Sequence, residues 1–215
     1  MRFHGYFRSS AAYRCRIAVN LKGVAPEFVA TPLRDGAQRR AAFGALNPQH
    51  LVPALEVDGA VLTQSMAIIE WLDETHPTPA LLPANPIARA QVRAFALAIA
   101  CEIHPLQNLR VLDYLRADLK LDTQGVDAWL HRWLHRWLGD GLAACEALLA
   151  RRPATRFCFG DAPGLADIFL APQMFSADRF GVDTSAMPRL RDVRAACEAL
   201  PAFADAAPGR QPDAA

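Results

Sequence analysis

The first eighty residues alternate between two hydrophobic periodicities, one of period two and one of helical spacing. Residues 2–6 alternate in the manner of a half-buried strand, and residues 13–21 place apolar side chains on one helical face. A second short strand at residues 27–30 and a short helix at residues 41–46 follow. This order predicts a βαβ unit and then a connection.

The next pattern is a hairpin followed by a helix. Asp58-Gly59 is a strong two-residue turn signal between two short apolar runs. Helical spacing then recurs from Ser65, which we expect to be the N-cap, and stops at Pro77. The pattern therefore predicts a small α/β domain over residues 1–82.

The rest of the chain is helical in pattern. A proline-rich connection at residues 77–86 cannot be regular helix and marks a domain boundary. Beyond it, the spacing predicts an all-α domain over residues 83–215. Its first long helix is interrupted at Pro105, and a second long helix covers residues 127–151.

Composition narrows the classes of partner. The 215 residues are 52% hydrophobic with a formal net charge of +1, so neither nucleic acid nor a membrane surface is an expected partner. No apolar run is long enough to span a bilayer. The five cysteines form no C-x-x-C pair, which indicates reduced, mostly buried thiols in a cytoplasmic protein. His131 and His135 have the spacing of two zinc ligands but lack a third, so we expect no metal.

Two hydroxyls mark the turn between the first strand and the first helix. Ser9 and Ser10 lie where a helix leaves its N–H groups unpaired. They are read either as a plain N-cap or as a site for an anion such as a thiolate. Pro53, before the hairpin, is read either as an ordinary trans residue at a strand edge or as a cis residue in a fixed turn.

The motifs taken together resemble a cytosolic glutathione transferase, and more narrowly the zeta class, which includes maleylacetoacetate and maleylpyruvate isomerases. The general family motifs are Ser9-Ser10, Asn47-Pro48, Val52-Pro53-Ala54-Leu55, Gln64-Ser65, Gly160-Asp161 and Leu165-Ala166-Asp167. The zeta-class motifs are Tyr6-Phe7-Arg8-Ser9-Ser10, Ala45-Leu46-Asn47-Pro48, His104-Pro105-Leu106-Gln107-Asn108-Leu109, Arg179-Phe180-Gly181-Val182-Asp183 and Arg210-Gln211-Pro212-Asp213. The resemblance covers essentially the whole chain.

The resemblance implies an α/β thioredoxin-like domain at residues 1–82, an all-α helical domain at residues 83–215, a homodimer and glutathione as the cofactor. Ser9 and Ser10 become the catalytic residues at the glutathione thiol, with Ser9 directed to the thiol and Ser10 to the helix. The implied cofactor-binding residues are Ser9 and Ser10 at the thiol, Gln38 at the glycyl end, Val52 and a cis Pro53 at the cysteinyl backbone, Gln64 and Ser65 at the γ-glutamyl group, and His104 and Asn108 from the helical domain.

The implied reaction is the cis–trans isomerisation of a maleyl keto acid. A thiolate adds to the conjugated double bond, the resulting single bond rotates, and elimination returns glutathione and the trans product. The substrate is a small dicarboxylate, so it needs cations, for which Arg8, Arg110 and Arg179 are the candidates. Two other functions remain open, a general transferase that conjugates electrophiles and a noncatalytic ligand-binding protein.

Three positions depart from the zeta pattern. Ala11 replaces a cysteine, so the catalytic sulfur has to belong to glutathione. Gly164 replaces a serine or threonine at a helix cap, although Asp167 still supplies the carboxylate half of a capping box. His50 replaces a small or polar residue.

Overall fold

A four-stranded sheet with flanking helices is formed by the first eighty residues of the structure, a computed structural model that describes residues 1–214. Its elements are β1 (Arg2–Gly5), α1 (Ser10–Leu21), β2 (Glu27–Ala30), α2 (Ala41–Leu46), β3 (Ala54–Val57), β4 (Ala60–Thr63) and α3 (Ser65–Thr75). The strand order is β2-β1-β3-β4, with β1 parallel to β2 and the other neighbours antiparallel. The predicted βαβ unit and hairpin are confirmed.

The core of this unit is apolar. Phe3 in β1 pairs with Phe28 in β2 and with Leu55 in β3. Helices α1 and α3 pack against each other and bury Ile17 and Ile68 completely. Burial of such a side chain stabilises a fold by roughly 1.5–3 kcal/mol. This packing holds the amino end of α1 just beyond the end of β1.

The second part of the chain is helical. Its elements are α4 (Pro86–Leu97), α5 (Leu109–Ala117), α6 (Thr123–Ala150), α7 (Leu165–Arg179) and α8 (Pro188–Glu198). Between α4 and α5 lie a π-helical segment, Ala98–Ile103, and a 3₁₀ turn, His104–Gln107, so the predicted interruption near Pro105 is confirmed. Gly141 permits α6 to approach this segment, because a Cβ there would lie 2.5 Å from Cγ1 of Ile103.

The chain divides into two compact units, and the final segment belongs to the first. The first unit runs from Met1 to Leu82 and resumes at Glu198, whereas the second covers Pro83–Cys197. The last part of the segment predicted as a helical domain, residues 83–215, therefore belongs to the same unit as the sheet. The reason is that α9 (Pro201–Ala204) packs on α1, where Tyr13 donates a hydrogen bond to the Phe203 carbonyl at 3.4 Å.

Asp167 secures the start of α7. It is almost completely buried, and its carboxylate accepts hydrogen bonds from the N–H groups of Gly164 and Cys158, both at 2.8 Å. The carboxylate half of the predicted capping box is therefore confirmed. Burial raises the pKa of the Asp167 carboxyl, and the hydrogen bonds from Cys158 and Gly164 oppose that rise.

The cysteines are free, and only Cys101 is exposed, so the prediction of mostly buried thiols is confirmed. Among residues 1–214, no helix is long and apolar enough to cross a membrane.

We predict that Asp167→Ala lowers the free energy of unfolding by about 3 kcal/mol, because it strips the cap and leaves two buried N–H groups unpaired. Guanidinium denaturation followed by circular dichroism measures this change. Asp140→Ala is the control, since Asp140 is exposed and its ion pair with Arg136 is long, at 3.9 Å. Equal stability of the two variants would contradict the capping role.

Candidate active site

Ser9 is the N-cap of α1. The N–H of Ser9 donates to the Tyr6 carbonyl at 3.0 Å, which closes a turn, and its Oγ accepts from the N–H of Ala12 at 3.2 Å. Ser10 is already the first helical residue, so our expectation that Ser10 is directed to the helix as the cap was wrong. A hydroxyl that accepts one hydrogen bond still has its own proton to donate. Capping and thiolate binding by Ser9 are therefore compatible.

Two effects stabilise an anion at this turn. The amino end of a helix contributes typically 0.3–1 kcal/mol to a nearby negative charge. A hydrogen bond to a charged group contributes about 1.5–3 kcal/mol. Ser9 and Ser10 are both half-buried, so a donated hydrogen bond there is only partly weakened by water. The hydroxyl donor is thus the larger of the two contributions.

The amino end of α3 is the second anion-binding feature. Gln64 occupies the cap position, but its Nε2 donates to Oε1 of Gln49 at 2.8 Å, and its side chain makes no capping hydrogen bond. Ser65 is the first helical residue, so the expectation that Ser65 is the N-cap was wrong. The N–H groups of the first turn of α3 are consequently without a side-chain cap, an arrangement suited to a carboxylate.

The backbone of Gln64 is unusual. Its φ is 69° and its ψ is 121°, and residues other than glycine rarely adopt such a positive φ. Such conformations cost on the order of 1–3 kcal/mol and concentrate at functional sites. Here the conformation turns the chain from β4 into α3 and brings the Gln64 amide next to the uncapped end.

Arg14 connects the two helices from inside the unit. It is 2% exposed, and its Nη1 donates to Oγ of Ser65 at 3.4 Å. Because that bond uses Oγ of Ser65 as an acceptor, the Ser65 proton stays available for a ligand. The buried cation also adds positive potential at the amino end of α3.

The residues around Pro53 are held in a fixed conformation. The Val52–Pro53 peptide bond is cis, which answers the question that the sequence left open. Nδ2 of Asn47 donates to the Leu51 carbonyl at 2.7 Å and thereby anchors the approach to this bond. Val52 is buried in one apolar cluster with Tyr6, Phe43 and Ala54.

Gln38 is buried in the connection before α2. Its side-chain Oε1 has no hydrogen-bond partner among the described residues. Its carbonyl lies 2.8 Å from Nδ1 of His50. Gly44 leaves room for that imidazole, since a Cβ there would lie 2.8 Å from Cε1 of His50. His50, one of the departures from the zeta pattern, therefore holds the backbone of a predicted ligand-binding residue.

The remaining predicted site residues lie in the second unit. His104 begins the 3₁₀ turn, whereas Asn108 is extended and caps α5 by accepting from the N–H of Arg110 at 3.4 Å. The helix is broken between His104 and Asn108, so the two residues do not lie one turn apart on the same helix. Arg110 is exposed near the start of α5. Arg179 is exposed at the end of α7 and stacks on the Phe180 ring at 4.8 Å.

The histidine pair of α6 has a structural role. The rings of His131 and His135 meet edge to face with centroids 4.1 Å apart, and Nε2 of His135 lies 3.1 Å from the Phe180 carbonyl. Residues 1–214 contain no cluster of three potential metal-ligating side chains.

Three of the buried thiols are poor nucleophiles. Burial raises the pKa of Cys15 to about 12, against the opposing charges of Arg14 and Arg16, and raises that of Cys145 to about 12. Burial also raises the pKa of Cys158 well above its ordinary value. These groups stay protonated at neutral pH, so any thiolate chemistry at the Ser9 turn uses a ligand thiol.

Several residues that shape the site were missed from sequence. They are Arg14 and Arg16 on α1, Asn47, Gln49, and Asp213 near the end of the chain. The two arginines offered a usable signal, because they interrupt an otherwise apolar buried helix and a buried arginine needs a partner.

Family models match both parts of the chain. The model described as "Glutathione S-transferase, N-terminal domain" matches residues 8–75, and the one described as "Glutathione S-transferase, C-terminal domain" matches residues 127–203.

Individual proteins resemble the chain over its whole length. A maleylpyruvate isomerase of Ralstonia sp is 49% identical, with 100% of both chains covered. A solved holo structure of a maleylpyruvate isomerase, described as a bacterial glutathione S-transferase of the zeta class, is 49% identical, with a TM-score of 0.94 and full coverage of both chains. A maleylacetoacetate isomerase from Methylobacterium extorquens AM1, solved with bound malonate and GSH, is 40% identical, with a TM-score of 0.93 and full coverage of both chains.

We predict that Gln64→Ala and Ser65→Ala each weaken glutathione binding by about tenfold or more, because each removes a polar group at the amino end of α3. Isothermal titration calorimetry gives the dissociation constants. Gln124→Ala is the control, since Gln124 is exposed on α6 in the second unit. Unchanged affinity in both site variants would remove the γ-glutamyl assignment.

Proposed function

We propose that this chain, which belongs to the glutathione S-transferase family and within it to the zeta class, catalyses the glutathione-dependent cis–trans isomerisation of a maleyl keto acid, maleylacetoacetate or maleylpyruvate. The observation that carries this proposal is the Ser9 turn. It offers a hydroxyl donor and a helix amino end to a thiolate, while the neighbouring Cys15 is buried and protonated. The full-length likeness to isomerases of both names supports it.

The first unit fits glutathione. The uncapped amino end of α3, with Gln64 and Ser65, suits the γ-glutamyl carboxylate. The backbone of Val52, before the cis Pro53, suits pairing with the cysteinyl backbone of glutathione. The buried Gln38 is the residue that we propose binds its glycyl end. Bound there, glutathione supplies a thiolate that adds reversibly to a conjugated double bond, which permits rotation before the thiolate leaves.

The chain's own residues act on charge in this reaction. Ser9 donates its proton as a hydrogen bond to the sulfur, keeps the thiolate populated at neutral pH, and needs no basic group to do so. Ser10, at the first helical position, is the second candidate for that donor. Because the thiolate is released unchanged, no proton has to be transferred overall.

The substrate's negative charges require cations. Arg8 is exposed beside Ser9 and stacks on the Phe7 ring, with its Cζ 5.0 Å from the ring centroid. We propose that Arg8 binds a carboxylate or the enolate oxygen that develops after addition, and Arg110 and Arg179 stay proposed as further cations for the substrate. His104 and Asn108 stay proposed as further glutathione contacts. The malonate bound to the Methylobacterium relative is a dicarboxylate, which is the substrate class we propose.

We further propose a homodimer in the cytoplasm. The reducing compartment is supported by the five free cysteines. The dimer follows from the class to which the chain belongs.

The alternative activity is general conjugation of electrophiles at the same thiolate, which the family model's own description favours. A chloroaromatic acceptor turned over much faster than any maleyl acid would favour conjugation.

We predict that the protein isomerises a maleyl acid only when glutathione is present. Both acids are offered with and without glutathione, and the loss of the cis chromophore is followed. Activity without glutathione, or none with either acid, counts against the mechanism.

We predict that Ser9→Ala lowers kcat/KM for isomerisation by about 10- to 100-fold, the loss of a hydrogen bond to a charged group. Ser10→Ala is the matched variant on the neighbouring hydroxyl, and we expect a smaller loss. Steady-state kinetics at saturating glutathione checks both. A larger loss in Ser10→Ala would transfer the donor role to Ser10.

A further inference from the structure

The turn that carries Ser9 is held from two opposite sides by charged side chains. The N–H of Phe7 donates to Oδ2 of Asp213 at 2.9 Å. The carbonyl of the same residue accepts from Nη2 of Arg16 at 3.0 Å. Phe7 is the second residue of the turn closed by Ser9 and Tyr6. Its peptide groups are therefore bound on both sides before the chain reaches Ser9.

Arg16 adds further anchors to this arrangement. Its Nη1 donates to the Tyr6 carbonyl at 3.4 Å, and its Nε donates to the Ala206 carbonyl at 2.9 Å. Arg16 is 5% exposed, and burial lowers its pKa to about 10, while the charge of Asp213 opposes that fall. The guanidinium consequently remains protonated at neutral pH.

Asp213 belongs to the C-terminal tail, defined here as residues 205–214. Hydrogen bonds within the tail hold its conformation, since Nε2 of Gln211 donates to the carbonyls of Asp205 and Ala207 at 2.8 and 3.0 Å. Oδ1 of Asp213 is buried and has no hydrogen-bond partner among the described residues. Asp213 is half-buried, and its carboxylate is held by the N–H of Phe7 and by the charge of Arg16, while Oδ1 is buried without a hydrogen bond that would replace water.

We propose that Asp213 is a positioning residue for the active-site turn, placing the Ser9 hydroxyl and the Arg8 guanidinium through the N–H of Phe7. This inference rests on the proposed function. Hydrogen-bond donors stabilise an anion only within a narrow geometry, and a displacement of about 1 Å can reduce a rate about a hundredfold. Asp213 touches neither sulfur nor substrate, so its effect appears in the thiol's ionisation.

The test is the titration of the thiol in the glutathione complex, followed by the ultraviolet absorbance of the thiolate. We expect Asp213→Ala to raise the pKa of the bound thiol by about one unit, which lowers the thiolate fraction by up to about tenfold at pH values below the wild-type thiol pKa. kcat should fall by the same factor at those pH values and recover as the pH rises through the new thiol pKa. KM for glutathione should change less than kcat, because α3 is untouched.

Two other variants make the test decisive. Asp213→Glu keeps the charge near Arg16 but moves the carboxylate off the N–H of Phe7, so it carries the test if Asp213→Ala does not fold. Asp205→Asn is the control, since Asp205 is an exposed acid of the same tail whose carbonyl, not its side chain, accepts from Gln211.

The outcomes separate the two proposals. A wild-type protein that leaves the bound thiol un-ionised overturns the proposed function and the positioning role together. A wild-type protein that ionises the thiol, with folded Asp213 variants that titrate and turn over like Asp205→Asn, overturns the positioning role alone. A loss of kcat equal at every pH also overturns it, because general destabilisation predicts that result.

Discussion

The active-site turn depends on the hydrogen bonds that the guanidinium of Arg16 donates. A buried charge destabilises a protein unless hydrogen bonds replace its water. Here carbonyl oxygens of Tyr6, Phe7 and Ala206 take that place, and they come from the end of β1, from the turn and from the tail. The turn at Tyr6 and Phe7 and the tail at Ala206 are far apart in sequence and are coupled through Arg16, because displacing either leaves the cation with fewer acceptors.

Both anion-binding positions of the first unit follow from a single packing arrangement. Helices α1 and α3 pack against each other, and each begins at a turn that leaves a strand. Arg14 reaches from α1 to Ser65 at the start of α3. The same buried cation therefore links α1, which we propose binds the thiol, to the start of α3, which we propose binds the carboxylate. The N–H groups at the amino ends of the two helices and the positive charge of Arg14 all favour a bound anion.

The sequence predicted the elements well and the fine positions less well. Asp58-Gly59 specified the hairpin because only a few residue pairs adopt a two-residue turn easily. The caps of α1 and α3 were predicted at Ser10 and Ser65 but lie one residue earlier, at Ser9 and Gln64, because neighbouring serines and glutamines carry no local signal that separates the cap from the first helical position. The sequence did not predict the positive φ of Gln64, since glycine is the residue expected at a position with positive φ.

Long-range contacts were beyond sequence reasoning for a different reason. The final segment joins the first unit through backbone carbonyls, as at Phe203 and Ala206, and a carbonyl is the same in every residue. The motif around Asp213 was visible through its resemblance to the zeta class, but its contact with Phe7 was not. Patterns of side chains predict elements, whereas a hydrogen bond between a side chain and a distant backbone group appears only in the folded chain.

Three of the buried cysteines are protected from alkylation by a substrate of the proposed class. An α,β-unsaturated diketone of the proposed substrate class alkylates thiols, and its target is the thiolate. Cys15, Cys145 and Cys158 are shielded by burial and kept protonated, so they resist this modification. By working through a diffusible thiol, the protein confines the reactive sulfur to a molecule that can be replaced. An irreversible adduct then forms on glutathione and not on these three cysteines.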